Sequence, residues 1–225
     1  MLGTDMHSHL IPGVDDGSPD FTESLSLIRG MLELGYQYLV TSPHIIQDMY
    51  PNTPGTLEPG YQELKEHWPG ELPVHFAAEY FLDDHVTNLL EKGEQLLTIS
   101  GKKVLVELSF VSRPMGLKDM IFNLQMNGYE PILAHPERYT YFHRDPAHYE
   151  DIKQTGCYFQ CNLLSFSGYY GETIREAAEY LVSKKLVDLL GTDLHHQRHL
   201  TALRELAFTP ALRKLMENEL LNTQL

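Results

Sequence analysis

The sequence has no apolar run near the length of about 18 residues that a membrane-crossing helix needs. Cysteine is scarce: Cys157 and Cys161 are the only two, four residues apart in one apolar run. Two cysteines make too poor a framework for a secreted disulfide scaffold. Their expected role is core packing along one strand face, in a reducing, cytoplasmic setting. The first residues lack a basic stretch followed by an apolar one, so no signal peptide is expected. Positive charge is scarce as well, with 17 Lys and Arg against 31 Asp and Glu and a net charge of −14. That balance argues against a general nucleic-acid binder or a protein of anionic membrane surfaces, and leaves negative charge for bound cations to offset. Repeats, low-complexity segments and interdomain linkers are absent. With 225 residues, 42% hydrophobic and 21% charged, the chain 1–225 reads as one soluble globular domain.

What is present is an alternation of short apolar runs with amphipathic ones. A first strand ends at His7 or His9. Ser18-Pro19 reads as an N-cap and first helical residue, for a helix through Leu25, Leu27, Ile28, Met31 and Leu32 that Gly35 closes. Tyr38–Ser42 is the second strand and reaches His44. Residues 45–59, rich in Pro, Gly, Asn and Thr, read as a long loop, followed by a helix over 61–67. Further strands are expected at 74–79, 103–109, 131–135, 157–162 and 187–190. Helices are expected at 83–92, 117–127, 145–154 and 172–185, with one or two closing helices over 200–221. Seven strands, each followed by a helix, indicate a parallel sheet buried on both faces.

The polar residues at the strand ends choose between an open sheet and a barrel. His7 and His9 lie two apart on a strand, so both imidazoles point the same way. Asp15-Asp16-Gly17 follows, then His44, Glu79, Glu107, His135, and Asp193 with His195. Six of the seven strands end in such a residue. A closed barrel gathers strand ends at one mouth, where such enzymes place their active sites. A seven-stranded (β/α) barrel is therefore expected. Nine potential ligands are too many for one ion and suit two or three. Mixed imidazole and carboxylate donors favour Mn, Fe or Zn over Mg or Ca. Such ions activate water and clamp the oxygens of an in-line displacement, which matches phosphate ester hydrolysis. Asp15 can replace Asp16 as the ligand, and Asp5 is expected to support a ligand from behind. Arg138, three residues past His135, suits phosphate oxygens; Arg113 and Arg198 are further candidates. Tyr50, Phe110, Tyr139 and Phe142 are placed to wall a pocket for an aromatic leaving group.

The order Asp5-x-His7-x-His9, Asp15-Asp16-Gly17, His44, Glu79, Glu107, His135-Pro136-Glu137-Arg138-Tyr139, Asp193-x-His195 resembles the PHP (polymerase and histidinol phosphatase) superfamily along nearly the whole chain. Within it, the chain is similar to the bacterial PHP-type protein tyrosine phosphatases of capsular and exopolysaccharide systems (CpsB-like). The resemblance implies a distorted (β/α)7 TIM-like barrel, the PHP fold, holding three metal ions, usually manganese. One ion would take His7, His9, Glu79 and Asp193. A second would share Glu79 and add Glu107 and His135. The third would use Asp16, His44 and His195. Arg138 matches the family's phosphate-contacting arginine, while the segment after His195 departs from the pattern and offers only Arg198. Arg138, Asp193 and His195 are the expected catalytic residues, with Arg138, Arg198 and Tyr139 in contact with substrate. The implied partner is the phosphotyrosine tail of a membrane-associated tyrosine kinase that controls polysaccharide chain length. A homo-oligomer is allowed, since family members differ in oligomeric state.

Two rival functions remain open at this point. One is a histidinol-phosphate phosphatase or another small-molecule phosphatase of the superfamily. The other is a non-catalytic regulatory domain, whose signature would be lost ligands, and here the ligand set is complete. A cysteine-based tyrosine phosphatase needs Cys-x5-Arg, yet Leu163 and Ser167 stand six residues after Cys157 and Cys161. Direct attack by metal-bound hydroxide, with no phosphoenzyme, is the expected chemistry.

Overall fold

The computed structural model describes residues 3–68, 70, 72–217 and 220–225; residues 218–219 of the expected closing helices lie outside them. The expected alternation is present, in a mixed α/β fold whose strands all pair in parallel. Two of the seven strand runs are broken in two. The strands are β1 Thr4–Asp5, β2 Tyr38–Thr41, β3 His44–Ile45, β4 Val74–Phe76 and β5 Glu79–Phe81, then β6 Lys103–Glu107, β7 Glu130–Ala134, β8 Tyr158–Asn162 and β9 Leu189–Gly191. They form a three-stranded sheet β1-β2-β4 and a six-stranded sheet β3-β5-β6-β7-β8-β9. The second and third runs break side by side, at Ser42-Pro43 and Ala77-Ala78. Pro43 has no N–H to give the ladder, although its carbonyl still accepts from Glu79 N at 3.0 Å.

The circuit closes beyond β9. A parallel bridge joins Ser8 to Leu194. Asp193 N donates to His7 O at 2.8 Å and His9 N donates to Leu194 O at 2.9 Å. The last run thus returns to the first, as a distorted barrel requires. Its interior holds Met6, Val40, Ala77, Leu105, Ile132 and Leu189, and a larger apolar layer packs between the strands and the helices.

The helices are α1 Phe21–Glu33, α2 Pro54–His67, α3 Asp84–Glu91, α4 Leu117–Met126, α5 Thr140–His143, α6 Ala147–Lys153, α7 Glu172–Ser183, α8 Gln197–Arg204 and α9 Pro210–Met216. Of the boundaries that differ from the sequence reading, two have a clear local cause. The N-cap of α1 is Asp20, whose side chain accepts from Glu23 N at 2.9 Å, while Ser18 is buried under the turn. The expected 45–59 loop ends early, because Thr53 caps α2 in a reciprocal box with Thr56 and Pro54 takes its first turn. The short helix α5 was not expected; it lies just past the 3-10 turn Pro136–Arg138.

Gly191 ties the fold to the strand-end residues. A Cβ there would stand 2.8 Å from the Cβ of His7 and 2.8 Å from the Gln160 amide nitrogen, and both neighbours are fully buried. Gly191→Ala is expected to destabilise the protein by about 1–3 kcal/mol through overpacking. A urea midpoint unchanged from wild type would contradict this packing.

Candidate metal centre

Every expected ligand lies at the C-terminal end of the barrel; seven of the nine are buried, His195 is partly buried and Asp16 is exposed. Two reach the mouth through unusual backbone. His135 directly follows β7 with φ 34°, and Asp193 lies two residues past β9 with φ 53°. Left-handed backbone is costly for residues other than glycine, and more so for His135, which precedes a proline.

Glu79 is the hub. Its Oε2 lies 3.1 Å from His7 Nε2, 3.4 Å from His9 Nε2 and 3.2 Å from His44 Nδ1. Its Oε1 lies 3.1 Å from His135 Nε2. His7 Nε2 and His9 Nε2 are 3.2 Å apart, with Asp193 Oδ1 at 3.4 and 3.6 Å from them. Around Glu79 three groups converge: His7, His9 and Glu79; His44, Glu79 and Glu107; and His9, Asp16, His44 and His195. Compared with the sets implied by the resemblance, the first group lacks Asp193 and the third adds His9. In the second, His44 stands beside Glu107, at 2.9 Å, where His135 was expected; His135 approaches Glu79 alone.

The donor set fits divalent ions. Ligand bonds of about 2.1 Å place neighbouring donors roughly 3.0–3.5 Å apart, the spacing seen here. His135 Nδ1 is buried without a hydrogen-bond partner among the described residues, and His44 Nδ1 and Glu107 Oε1, though 2.9 Å apart, make no aligned hydrogen bond. Such orphaned atoms are costly unless something else binds them.

A second layer holds the donors in orientation. His7 Nδ1 pairs with Gln160 Oε1 at 2.9 Å, and His9 Nδ1 with Asp15 Oδ2 at 2.8 Å. Each contact turns the Nε2 lone pair toward the cluster. Asp15 also accepts from Gly17 N and His44 N, so its carboxylate is fully occupied. Asp16, with a side chain 56% exposed, instead faces His44 Nε2 at 3.4 Å and His195 Nε2 at 3.6 Å. Of the two aspartates, Asp16 thus stands among the candidate donors while Asp15 braces His9. Asp5 accepts from the backbone and hydroxyl of Thr192, and burial pushes its carboxyl up to about 7. Gln160 passes a hydrogen bond to Asn162, which donates to Asp193 Oδ2 at 2.7 Å. These two amides were missed in the sequence; their signal was two polar residues at spacing two in an apolar strand.

The expected substrate residues divide. Arg138 lines the mouth and donates through Nη1 to Asp193 Oδ2 at 2.9 Å. Phe110 lines it too, and Tyr50 stacks on His44 with ring centres 5.7 Å apart. Tyr139 does not reach substrate. It is fully buried, with its hydroxyl accepting from Leu108 N at 2.8 Å and its ring beside that of Phe110. Phe142 is also fully buried. Both follow a turn that folds them under the mouth rather than over it. Arg198 is exposed on α8, outside the residues lining the cleft, because the helix directs His196 and His199 there instead. Arg113 bonds to His148, away from the mouth. Tyr170, His196 and His199 line the cleft without having been expected. His196 and His199 stand next to the expected residues His195 and Arg198, which was a signal for them, whereas nothing near Tyr170 marked it.

Charge is shared within the cluster. Burial would raise the Glu79 carboxyl, but His7 and His44 bring it well below the usual range. Burial would lower His9, yet the Asp15 carboxylate beside it raises it to about 10. His7 and His44 are raised in the same way by their carboxylates. His195 is lowered to about 3, first by burial and then by His9. The two cysteines are buried and unpaired, and burial pushes both thiols up, Cys157 to about 12, which disfavours a thiolate at either.

A family model described as capsular polysaccharide synthesis, CpsB/CapC, matches residues 3–219. The tyrosine-protein phosphatase YwqE of Bacillus subtilis is 26% identical over 195 residues, covering 85% of this chain and 77% of its own. The tyrosine-protein phosphatase CpsB of Streptococcus agalactiae is 27% identical over 206 residues, covering 85% and 82%. Among solved structures, one from work on YwqE of B. subtilis and CpsB of Streptococcus pneumoniae, described as unique metal-dependent tyrosine phosphatases, superposes with a TM-score of 0.81. It is 26% identical and covers 96% of this chain and 92% of its own. The histidinol phosphate phosphatase of Lactococcus lactis shares the fold, with a TM-score of 0.60 at 11% identity over 97% and 95%.

Protonated imidazoles must lose their protons to bind an ion. Metal binding should therefore release protons, and affinity should rise by about tenfold per pH unit for each proton displaced between roughly pH 6 and 8. Calorimetry in two buffers of different ionisation enthalpy measures this; an affinity independent of pH would contradict the charge arrangement.

Proposed function

The chain belongs to the CpsB/CapC family of capsular polysaccharide synthesis, and from that premise we propose that it is a metal-dependent protein-tyrosine phosphatase. Its substrate is the phosphotyrosine tail of a membrane-associated tyrosine kinase in a polysaccharide system, met in the cytoplasm. Among the described residues no helix is long and apolar enough to cross a membrane. The observation that carries the reading is Arg138, poised at an open mouth directly beside a cluster of imidazoles and carboxylates.

His7, His9, Asp16, His44, Glu79, Glu107, His135, Asp193 and His195 would hold up to three ions, with manganese favoured and iron or zinc as alternatives. Ions held there would supply an activated water near neutral pH and offset phosphate charge. The remaining roles fall to the chain's own residues. The Arg138 guanidinium takes phosphoryl oxygens and stabilises the charge that builds on them. Asp193 links the ligand cluster to Arg138, because one carboxylate oxygen faces His7 and the other accepts from the guanidinium. His195 keeps Nδ1 bonded to the Asp193 carbonyl at 2.8 Å, which leaves Nε2 for an ion. The leaving phenol has a pKa near 10, so its departure needs no strong acid from the protein.

Histidinol phosphate is the competing substrate. The rim favours a peptide: the Asp16 side chain is 56% exposed and Phe110 is 46% exposed, so a residue in a chain can enter without a lid opening.

Protein stripped by chelator should lose activity and regain it with manganese, hydrolysing a phosphotyrosine peptide in preference to histidinol phosphate. Preference for histidinol phosphate would move the chain to the metabolic branch, and metal binding without either activity would make it a regulatory domain. Arg138→Ala should lower kcat/KM on the peptide by roughly 100-fold while metal stoichiometry is kept. An unchanged kcat/KM would remove Arg138 from the reaction.

A further inference from the structure

The Arg138 guanidinium is flanked by two aromatic rings. Its central carbon lies 4.9 Å from the ring centre of Phe110 and 4.6 Å from that of Tyr170. Its Nη1 donates to Asp193, and its other guanidinium N–H groups have no partner among the described residues. Phe110 comes from the loop after β6 and is itself stacked on His135, at 5.6 Å and 23°. Tyr170 comes from the loop after β8. Gly168 and Gly171, at φ 78° and 108°, bracket Tyr169-Tyr170 with backbone that side-chain-bearing residues rarely adopt.

An arginine has several rotatable bonds, and ordering them when substrate arrives weakens binding. Guanidinium against aromatic rings is an attractive geometry, more so where water is partly excluded. We propose that Phe110 and Tyr170 are positioning residues that hold Arg138 ready for the phosphoryl group before substrate arrives. The inference rests on the phosphatase reading above. The ring of Tyr170, rather than its hydroxyl, does the holding. That hydroxyl is buried and has no hydrogen-bond partner among the described residues, so its removal takes no contact away.

The test compares Tyr170→Phe, Tyr170→Leu and Phe110→Leu, each alone and in an Arg138→Ala background. Two readouts are used on manganese-loaded protein: KM and kcat on a phosphotyrosine peptide, and calorimetric binding of inorganic phosphate. Tyr170→Leu should weaken phosphate binding and raise KM by about tenfold with a smaller change in kcat. Tyr170→Phe should stay within about twofold of wild type, since the ring remains. In the Arg138→Ala background Tyr170→Leu should cost nothing further, because the two residues act as one unit. If Tyr170→Leu fails to fold, Phe110→Leu carries the same comparison. Equal losses with and without Arg138, or a Tyr170→Phe that fails like Tyr170→Leu, would overturn the clamp. Wild type that binds phosphate but hydrolyses no peptide would overturn the functional reading alone, with the binding arm still deciding the clamp. Wild type that binds no phosphate would overturn both.

Discussion

The site depends on one buried carboxylate. Glu79 has no solvent exposure, and an ionised carboxylate without partners is strongly disfavoured in such a place. Here imidazoles from three other strand runs surround it: His7 and His9 from the first, His44 from the second and His135 from the fifth. Parallel register makes part of this unavoidable, because β3 and β5 pair with His44 opposite Glu79. The broken strands contribute as well. The interruption at Ser42-Pro43 comes just before His44, so the strand resumes with a candidate donor at its first residue.

The same constraint explains the second layer. A donor atom is useful only if its lone pair points inward, and a neutral imidazole has one lone pair. Gln160 and Asp15 each engage one Nδ1, which leaves Nε2 for the cluster. Asn162 and Arg138 share the outer oxygen of Asp193, so the carboxylate that faces the imidazoles is also tied to the arginine at the mouth. The aromatic pair around Arg138 extends this arrangement outward.

The chain's own features make several parts of this legible without coordinates. His7 and His9 share a strand face because strand side chains alternate, and Asp15-Asp16-Gly17 forms a turn because of its residue types. Glu79, Glu107 and His135 each close an apolar run, so placing them at strand ends needs only local pattern. Their coincidence at six strand ends then points to a barrel mouth. Local pattern erred where two signals compete. Ser18-Pro19 and Asp20 both resemble caps, and only Asp20 reaches a helical N–H. The stretch 45–59 is rich in loop formers, yet Thr53-Pro54 within it is a sound helix start.

The sequence by itself thus determined the ligand types, their order and their common end of the barrel, because each depends on residues within a few positions of one another. Tertiary structure alone decided which partner each ligand has. Gln160 meets His7 across 153 residues and Arg138 meets Asp193 across 55. Tertiary structure also sent Tyr139 beneath the mouth, turned Arg198 away and brought Tyr170 against Arg138. These outcomes depend on the angle at which each loop leaves its strand and on what already fills the space there. No spacing along the chain encodes either of them.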